Sequence, residues 1–216
     1  MSRVWMVPNS KTWGTGESGI KRVVEAYIRY LPQFGWEVVN DPEALLDMVA
    51  VHAGIPAPTC HVAHCHGLYW TADYNALSWE WKSNANVVAM CRVAREISVP
   101  SEWVAETFRR DMRVNPVVLG HGIELDEWGE PEPSDGYVLW NKNRIGDVCD
   151  PTPVGVLARR FPQHRFATTF APRGDFHNVR VTGVLPHAMM AGVVKRAGVY
   201  LASNYETFCI GILEAM

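Results

Sequence analysis

The 216-residue sequence has no apolar run that approaches the roughly 20 residues a membrane-spanning helix requires. It also has no excess of basic residues, because 20 Lys and Arg stand against 23 Asp and Glu for a formal net charge of −3. This balance argues against nucleic acid and an anionic membrane as partners, and the missing apolar run leaves at most a peripheral membrane contact.

The cysteines follow no paired spacing. The five cysteines are an odd number, and they are widely separated: Cys60, Cys65, Cys91, Cys149 and Cys209. Reduced thiols in a cytosol fit this usage better than a disulfide framework. The first apolar run is interrupted by Pro8 and Asn9, which is unlike a signal peptide. We therefore predict a cytoplasmic protein.

The first forty residues predict a βαβ unit. Residues 3–7 have the character of a strand, and a glycine-rich loop follows them. From Ile20 to Leu31 the apolar residues recur at helical spacing, and Pro32 ends this pattern before the next apolar run at 36–39. Such units build parallel sheets.

The glycine-rich loop matches the dinucleotide fingerprint in letters, as Gly14-x-Gly16-x-x-Gly19. The fingerprint needs its first glycine at the end of the strand, whereas six residues, Asn9 to Gly14, follow Pro8 here. We interpret the loop as one that faces phosphate or sugar, since glycine lets backbone amides approach such groups closely. A nicotinamide-dependent oxidoreductase remains an alternative.

Further along, the apolar runs at 49–52, 61–66, 86–91 and 115–123 predict more strands, and Ser101 predicts the N-cap of a helix. His64 and His66 are two residues apart and so point to the same face of their strand, where both could line one cleft. Cys65 would point away, and no distant carboxylate or CxxC completes a ligand set. No metal site is predicted.

The second half predicts another set of strands and helices. Residues 126–136 are acidic and carry two prolines, as an interdomain linker does. Strands are expected at 137–140, 165–170, 179–184 and 199–202, and helices at 154–161 and 186–197. Lys142 and Arg144 follow the first of these strands and are either ligands of an anion or solvated surface charges.

The last nineteen residues predict a strand at 198–203, a loop, and a helix that starts near Phe208. Glu206 and Glu214 would bracket a ligand site there, because ligands of open α/β sheets bind at the carboxyl ends of the strands. Alternatively, Ser203 and Glu206 form a capping box and Glu214 lies on a solvated face. Spacing alone does not decide between the two.

These segments together resemble one family, the retaining glycosyltransferases of GT-B architecture, which are similar to family four and are also called glycosyltransferase group 1. The resemblance lies in five segments along nearly the whole chain, in the family's order: 19–24 (GIKRVV), 64–66 (HCH), 99–104 (VPSEWV), 121–124 (HGIE) and 206–216 (ETFCIGILEAM). The last resembles the E-x7-E box and is the most specific of them.

The resemblance implies an α/β fold of GT-B type, with two Rossmann-like parallel-sheet domains facing a cleft. Residues 1–125 would form the acceptor-side domain, 126–136 the linker and 137–216 an incomplete donor-nucleotide domain. The sequence stops directly after the E-A-M of the box, where the family continues. We expect either a natural short form or a fragment.

The resemblance also implies a function: transfer of a sugar from a nucleoside diphosphate, UDP or GDP, to a saccharide, lipid or protein acceptor, with retention and without a metal or other cofactor. His66 and Glu206 would be catalytic and face the donor sugar. The other predicted residues would bind the donor. Gly16, Ser18 and Gly19 would lie over the cleft, Val184 and Leu185 would flank the base, and Glu214 would contact the ribose. The residues at the diphosphate would be Lys142, Arg144, Phe208, Cys209, Ile210 and Gly211.

Two departures from the family qualify that expectation. Cys209 stands where the family has glycine, and the family's Lys-Gly after the arginine has no counterpart beside Cys149. Lys142 is the candidate substitute for that lysine. Because the truncation or Cys209 would remove catalysis, a sugar-nucleotide-binding module without turnover is the principal alternative to an active transferase.

Overall fold

The computed structural model describes residues 2–7, 19–39, 47–50, 60–68, 78–130, 132–146, 149–203 and 207–216. The chain divides into two compact units, Met1–His121 and Gly122–Met216. Each unit contains one sheet in which every described pairing is parallel. The predicted α/β class with parallel sheets is confirmed, and both sheets are compatible with Rossmann-like domains.

The first unit is a six-stranded sheet with helices between its strands. Its strands are β1 (Ser2–Val7), β2 (Trp36–Val39), β3 (Asp47–Ala50), β4 (Val62–His64), β5 (Glu96–Val99) and β6 (Val117–Val118). Its helices are α1 (Gly19–Tyr30), α2 (Ser78–Val93) and α3 (Glu102–Met112), and a 3-10 turn spans Leu31–Phe34. The strand order is β2-β1-β3-β4-β5-β6, so the chain reverses its direction across the sheet between β1 and β3.

Alternation along the strands sends apolar side chains to both faces of this sheet, as a doubly covered parallel sheet requires. On one face Met6 packs with Val24 of α1. On the other face Ala63 and Val99 pack in a cluster that includes Phe108 of α3 and residues of α2. The unit is therefore held by two apolar layers, one on each side of the strands.

The predicted strand at 86–91 is wrong, because these residues belong to α2. The buried stripe of this helix contains two polar residues, Glu80 and Asn84, followed by Val87 and Met90. Since half of the stripe is polar, its helical period is hidden among the apolar residues, and the short run at 86–91 taken alone has the length of a buried strand.

The second unit is a four-stranded sheet with strands β7 (Tyr137–Trp140), β8 (Phe166–Thr168), β9 (Val179–Val181) and β10 (Ala197–Tyr200). Its helices are α4 (Leu125–Trp128), α5 (Thr152–Arg160), α6 (His187–Lys195) and α7 (Ile210–Ala215). The order β10-β7-β8-β9 places a reversal between β7 and β10. In open α/β sheets, ligands bind in the crevice at such a reversal.

The two faces of this sheet carry different clusters. Leu139 and Ala167 pack with Met190 of α6, whereas Trp140 and Phe166 pack with α5. The segment predicted as a linker starts with the single turn of α4. Its Trp128 is buried in the cluster of Leu139, Ala167 and Met190, which we call the α6 cluster. Among the described residues, no helix is long and apolar enough to cross a membrane.

Phe108 tests the packing of the first unit, because its side chain is fully buried between α3 and the sheet. Replacing Phe108 with Ala is expected to lower the free energy of unfolding by about 3–5 kcal/mol, the cost of lost burial plus a cavity. Urea denaturation measures this loss. The matched control is Trp103→Ala on the same helix, where the side chain is 46% exposed and leaves no enclosed cavity, so a clearly smaller loss is expected. Equal losses in both variants would contradict the placement of Phe108.

Candidate functional site

Lys142 lies at the reversal point of the second sheet, two residues beyond the end of β7. Its backbone N–H donates to Thr169 Oγ1 at 3.0 Å, which ties the segment to the end of β8. The residue is only 8% exposed, and its Nζ lies 3.7 Å from Cys209 Sγ, at the start of α7. The alternative that Lys142 is a solvated surface charge is therefore wrong.

The same corner brings the end of β10 against α7. Tyr200, the last residue of β10, donates its hydroxyl to the carbonyl oxygen of Asn141 at 3.3 Å. A Cβ on Gly211 would lie 3.0 Å from Tyr200 Cζ and closer still to its hydroxyl oxygen. Glycine at 211 thus lets the first turn of α7 approach Tyr200, and the ends of β7 and β10 meet α7 at one place.

The capping-box alternative for the end of the chain is wrong. Helix α7 begins at Ile210, and its N-cap is Cys209, whose side chain makes no capping hydrogen bond. Ser203 is too far from this helix start to cap it. The first turn of α7, in which the N–H of Ile212 donates to the carbonyl oxygen of Cys209 at 3.1 Å, therefore begins beside Lys142.

The remaining predicted donor-side residues differ in exposure. Phe208 and Ile210 are half-buried around Cys209, and Glu214 is half-buried in the last turn of α7. Arg144 is exposed on the bend after β7. Of the pair predicted to flank the base, Val184 is exposed and Leu185 packs against the α6 cluster.

The glycine loop and Glu206 are described only in part. Gly19 is the exposed first residue of α1. Gly16, Ser18 and Glu206 lie outside the described residues. Eleven residues, 8–18, separate the end of β1 at Val7 from the start of α1. Helix α1 starts at Gly19, the third glycine of the motif.

In the first unit, three histidines converge at the carboxyl edge of the sheet. The ring centroids of His64 and His66 are 4.9 Å apart, those of His64 and His121 5.2 Å, and those of His66 and His121 5.4 Å. Their candidate ligand nitrogens all lie within 4.8 Å of one another. His64 is buried, and its Nδ1 hydrogen-bonds with Ser98 Oγ at 2.8 Å.

Burial, together with the charge of His66, lowers the pKa of His121 to about 4. His121 is therefore neutral near pH 7, with one ring nitrogen that can accept a hydrogen bond or bind a cation.

Sequence reasoning predicted that His64 and His66 share a face and that Cys65 points away, and the structure has this arrangement. Cys65 lies in the cluster on the α2–α3 side, with its Sγ 3.8 Å from Cys91 Sγ. The hydrogen bond with Cys91 and burial raise the pKa of Cys65 well above its usual value. What the sequence reasoning missed is His121 as the third imidazole, because only the pairing of β4, β5 and β6 brings it near.

A scan against protein-family models finds no match to this chain, and a search of curated proteins finds no significant match either. The family resemblance therefore rests on the motifs of the sequence.

The close approach of Gly211 to Tyr200 can be used to test how the end of β10 packs against α7. Gly211→Ala is expected to lower the free energy of unfolding of the second unit by about 1–3 kcal/mol, because the new Cβ displaces the Tyr200 ring or the first turn of α7. Urea denaturation measures the loss, and adding Tyr200→Phe should restore part of it by removing the hydroxyl.

Gly192→Ala is the matched control for this variant. Gly192 also lies in a helix, α6, but a Cβ there would meet nothing within 4 Å. Its replacement is expected to be neutral or to stabilise by up to about 1 kcal/mol. A Gly211→Ala protein as stable as the Gly192→Ala protein would contradict the described contact.

Proposed function

We propose that this protein is a glycosyltransferase that moves a sugar from a nucleoside-diphosphate donor to an acceptor hydroxyl with retention of anomeric configuration. The observation that carries the proposal is the position of Lys142: a residue that is only 8% exposed, at the reversal point of the second sheet, with its Nζ beside the start of α7. This is the place where open α/β sheets bind nucleotides.

The surroundings of Lys142 favour an anionic ligand. Little water reaches a residue that is 8% exposed, so its charge attracts a phosphate more strongly than a surface lysine would. The amides at the start of α7 add partial positive charge on the same side. Arg144, exposed on the same segment two residues later, is a second cation near this strand end in sequence.

These groups match the demand of the proposed reaction. The bond between the anomeric carbon and the phosphate oxygen breaks, and the diphosphate takes the electron pair and gains negative charge. The acceptor oxygen forms the new bond on the same face of the sugar, and its proton passes to an oxygen of the departing diphosphate. A cation that meets the leaving diphosphate stabilises this transition state, and we assign that role to Lys142.

Glu214 supports the nucleotide part of the proposal. It lies half-buried on the same short helix that begins beside Lys142. A carboxylate accepts hydrogen bonds from ribose hydroxyls, which is its usual task in nucleotide sites. We assign Glu214 to the ribose and Lys142 to the diphosphate, with UDP or GDP as the nucleotide.

Lys142→Met tests the proposal, because methionine keeps the apolar stem and removes the ammonium. Calorimetry with UDP and GDP is expected to show affinity roughly 10- to 100-fold weaker than in the unchanged protein, the usual loss for one charged hydrogen-bonding partner. The matched control is Lys195→Met at the end of α6, where affinity should not change.

Turnover separates the proposal from its alternatives. Release of nucleoside diphosphate from UDP- or GDP-sugars supports a transferase, and binding without release would indicate a module that only holds sugar nucleotides. Failure of both nucleotides to bind, together with a change in NADH fluorescence on mixing, would overturn the proposal in favour of an oxidoreductase.

A further inference from the structure

The histidine cluster of the first unit, His64, His66 and His121, is rigidly supported by β5. The N–H of Cys65 donates to the carbonyl oxygen of Ser98, and the N–H of Leu119 donates to that of Val99, both at 2.8 Å. His66 directly follows the first of these bonds, and His121 comes two residues after the second. The two segments that carry the cluster are thus fixed to one strand from opposite sides.

The ring of His64 is oriented by a second contact. Ser98 is the register partner of His64 in the β4–β5 pair, and its hydroxyl hydrogen-bonds with His64 Nδ1. When Nδ1 is engaged in this way, Nε2 is the nitrogen that would bind an ion. Metal-binding histidines are commonly oriented by such an outer hydrogen bond on the other ring nitrogen.

We propose that His64, His66 and His121 bind one late first-row divalent metal ion, of which Zn²⁺ is the representative. Three imidazoles and no carboxylate favour such ions over Mg²⁺ and Ca²⁺, which prefer oxygen ligands. Three protein ligands leave a fourth position of a tetrahedral ion for water or another small ligand.

The distances allow this with small movements. Zn–N bonds of about 2.0–2.1 Å in a tetrahedral site place the ligand nitrogens roughly 3.3 Å apart. The three nitrogens lie within 4.8 Å of one another, so the longest separation must close by about 1.5 Å. His66 and His121 are only half-buried, and rotation of their side chains supplies this movement while His64 stays in place.

The competing place for such an ion in this unit is the thiol pair Cys65 and Cys91, on the opposite face of the sheet. Thiolates bind Zn²⁺ well, so binding by itself does not distinguish the two places. Co²⁺ distinguishes them, because cobalt bound to thiolate shows strong near-ultraviolet charge-transfer absorption and cobalt bound by imidazoles alone does not.

The test is a titration of the chelator-stripped full chain with Zn²⁺ in competition with a chromogenic chelator. We expect one ion per chain, and a melting temperature that rises by roughly 4–10 °C when Zn²⁺ exceeds its dissociation constant 100-fold. His66→Asn and His121→Asn should each weaken binding by more than about 100-fold, since losing a ligand costs more than losing an outer contact. These two residues are changed rather than His64 because His64 is buried and its replacement could unfold the chain.

Two further variants sharpen the result. His61→Asn, in the same segment and outside the cluster, should leave the affinity unchanged. Ser98→Ala should weaken binding about 10- to 100-fold, as expected for a positioning residue that acts through His64. Co²⁺ should bind with the same His66 and His121 dependence and without thiolate absorption.

The proposal is overturned if Zn²⁺ does not bind, if the His66 and His121 variants bind as tightly as the unchanged chain, or if Co²⁺ shows thiolate absorption. None of these readouts uses donor or acceptor, so this outcome is independent of the proposed transfer reaction.

Discussion

Parallel pairing of strands is the constraint on which both candidate sites depend. Because all strands of a sheet run in one direction, their carboxyl ends lie at one edge, and residues far apart in sequence become neighbours there. In the second unit this edge joins Lys142, after β7, to Cys209, beyond β10. In the first unit it joins His64, at the end of β4, to His121, beyond β6.

The two edges are suited to ligands of opposite charge. At the second unit's edge the ammonium of the nearly buried Lys142 presents positive charge beside the start of α7, which an anion such as a diphosphate would neutralise. At the first unit's edge the nitrogens of three imidazoles lie within 4.8 Å of one another, which suits a cation. The same architecture thus supports two chemistries because the side chains that follow the strands differ.

Most of the secondary structure was predictable because each amphipathic segment carries its own period. The stripe from Ile20 to Leu31 needs no tertiary information to indicate α1. The same reasoning did not identify helix α2, because Glu80 and Asn84 occupy part of its buried stripe. The convergence of His121 with the His-x-His segment, and of Gly211 with Tyr200, follows from strand order and register, which local patterns do not contain.

The two-residue period of the strand sorts the potential ligands of the first unit. His64 and His66 face one side of the sheet, while Cys65 between them joins the apolar cluster on the other side. A shift of register by one residue would exchange them and place a thiol beside Ser98. The pairing of His64 with Ser98 therefore does more than hold β4 to β5. It places the imidazoles of His64 and His66, and not the thiol of Cys65, on the side of the sheet where His121 lies.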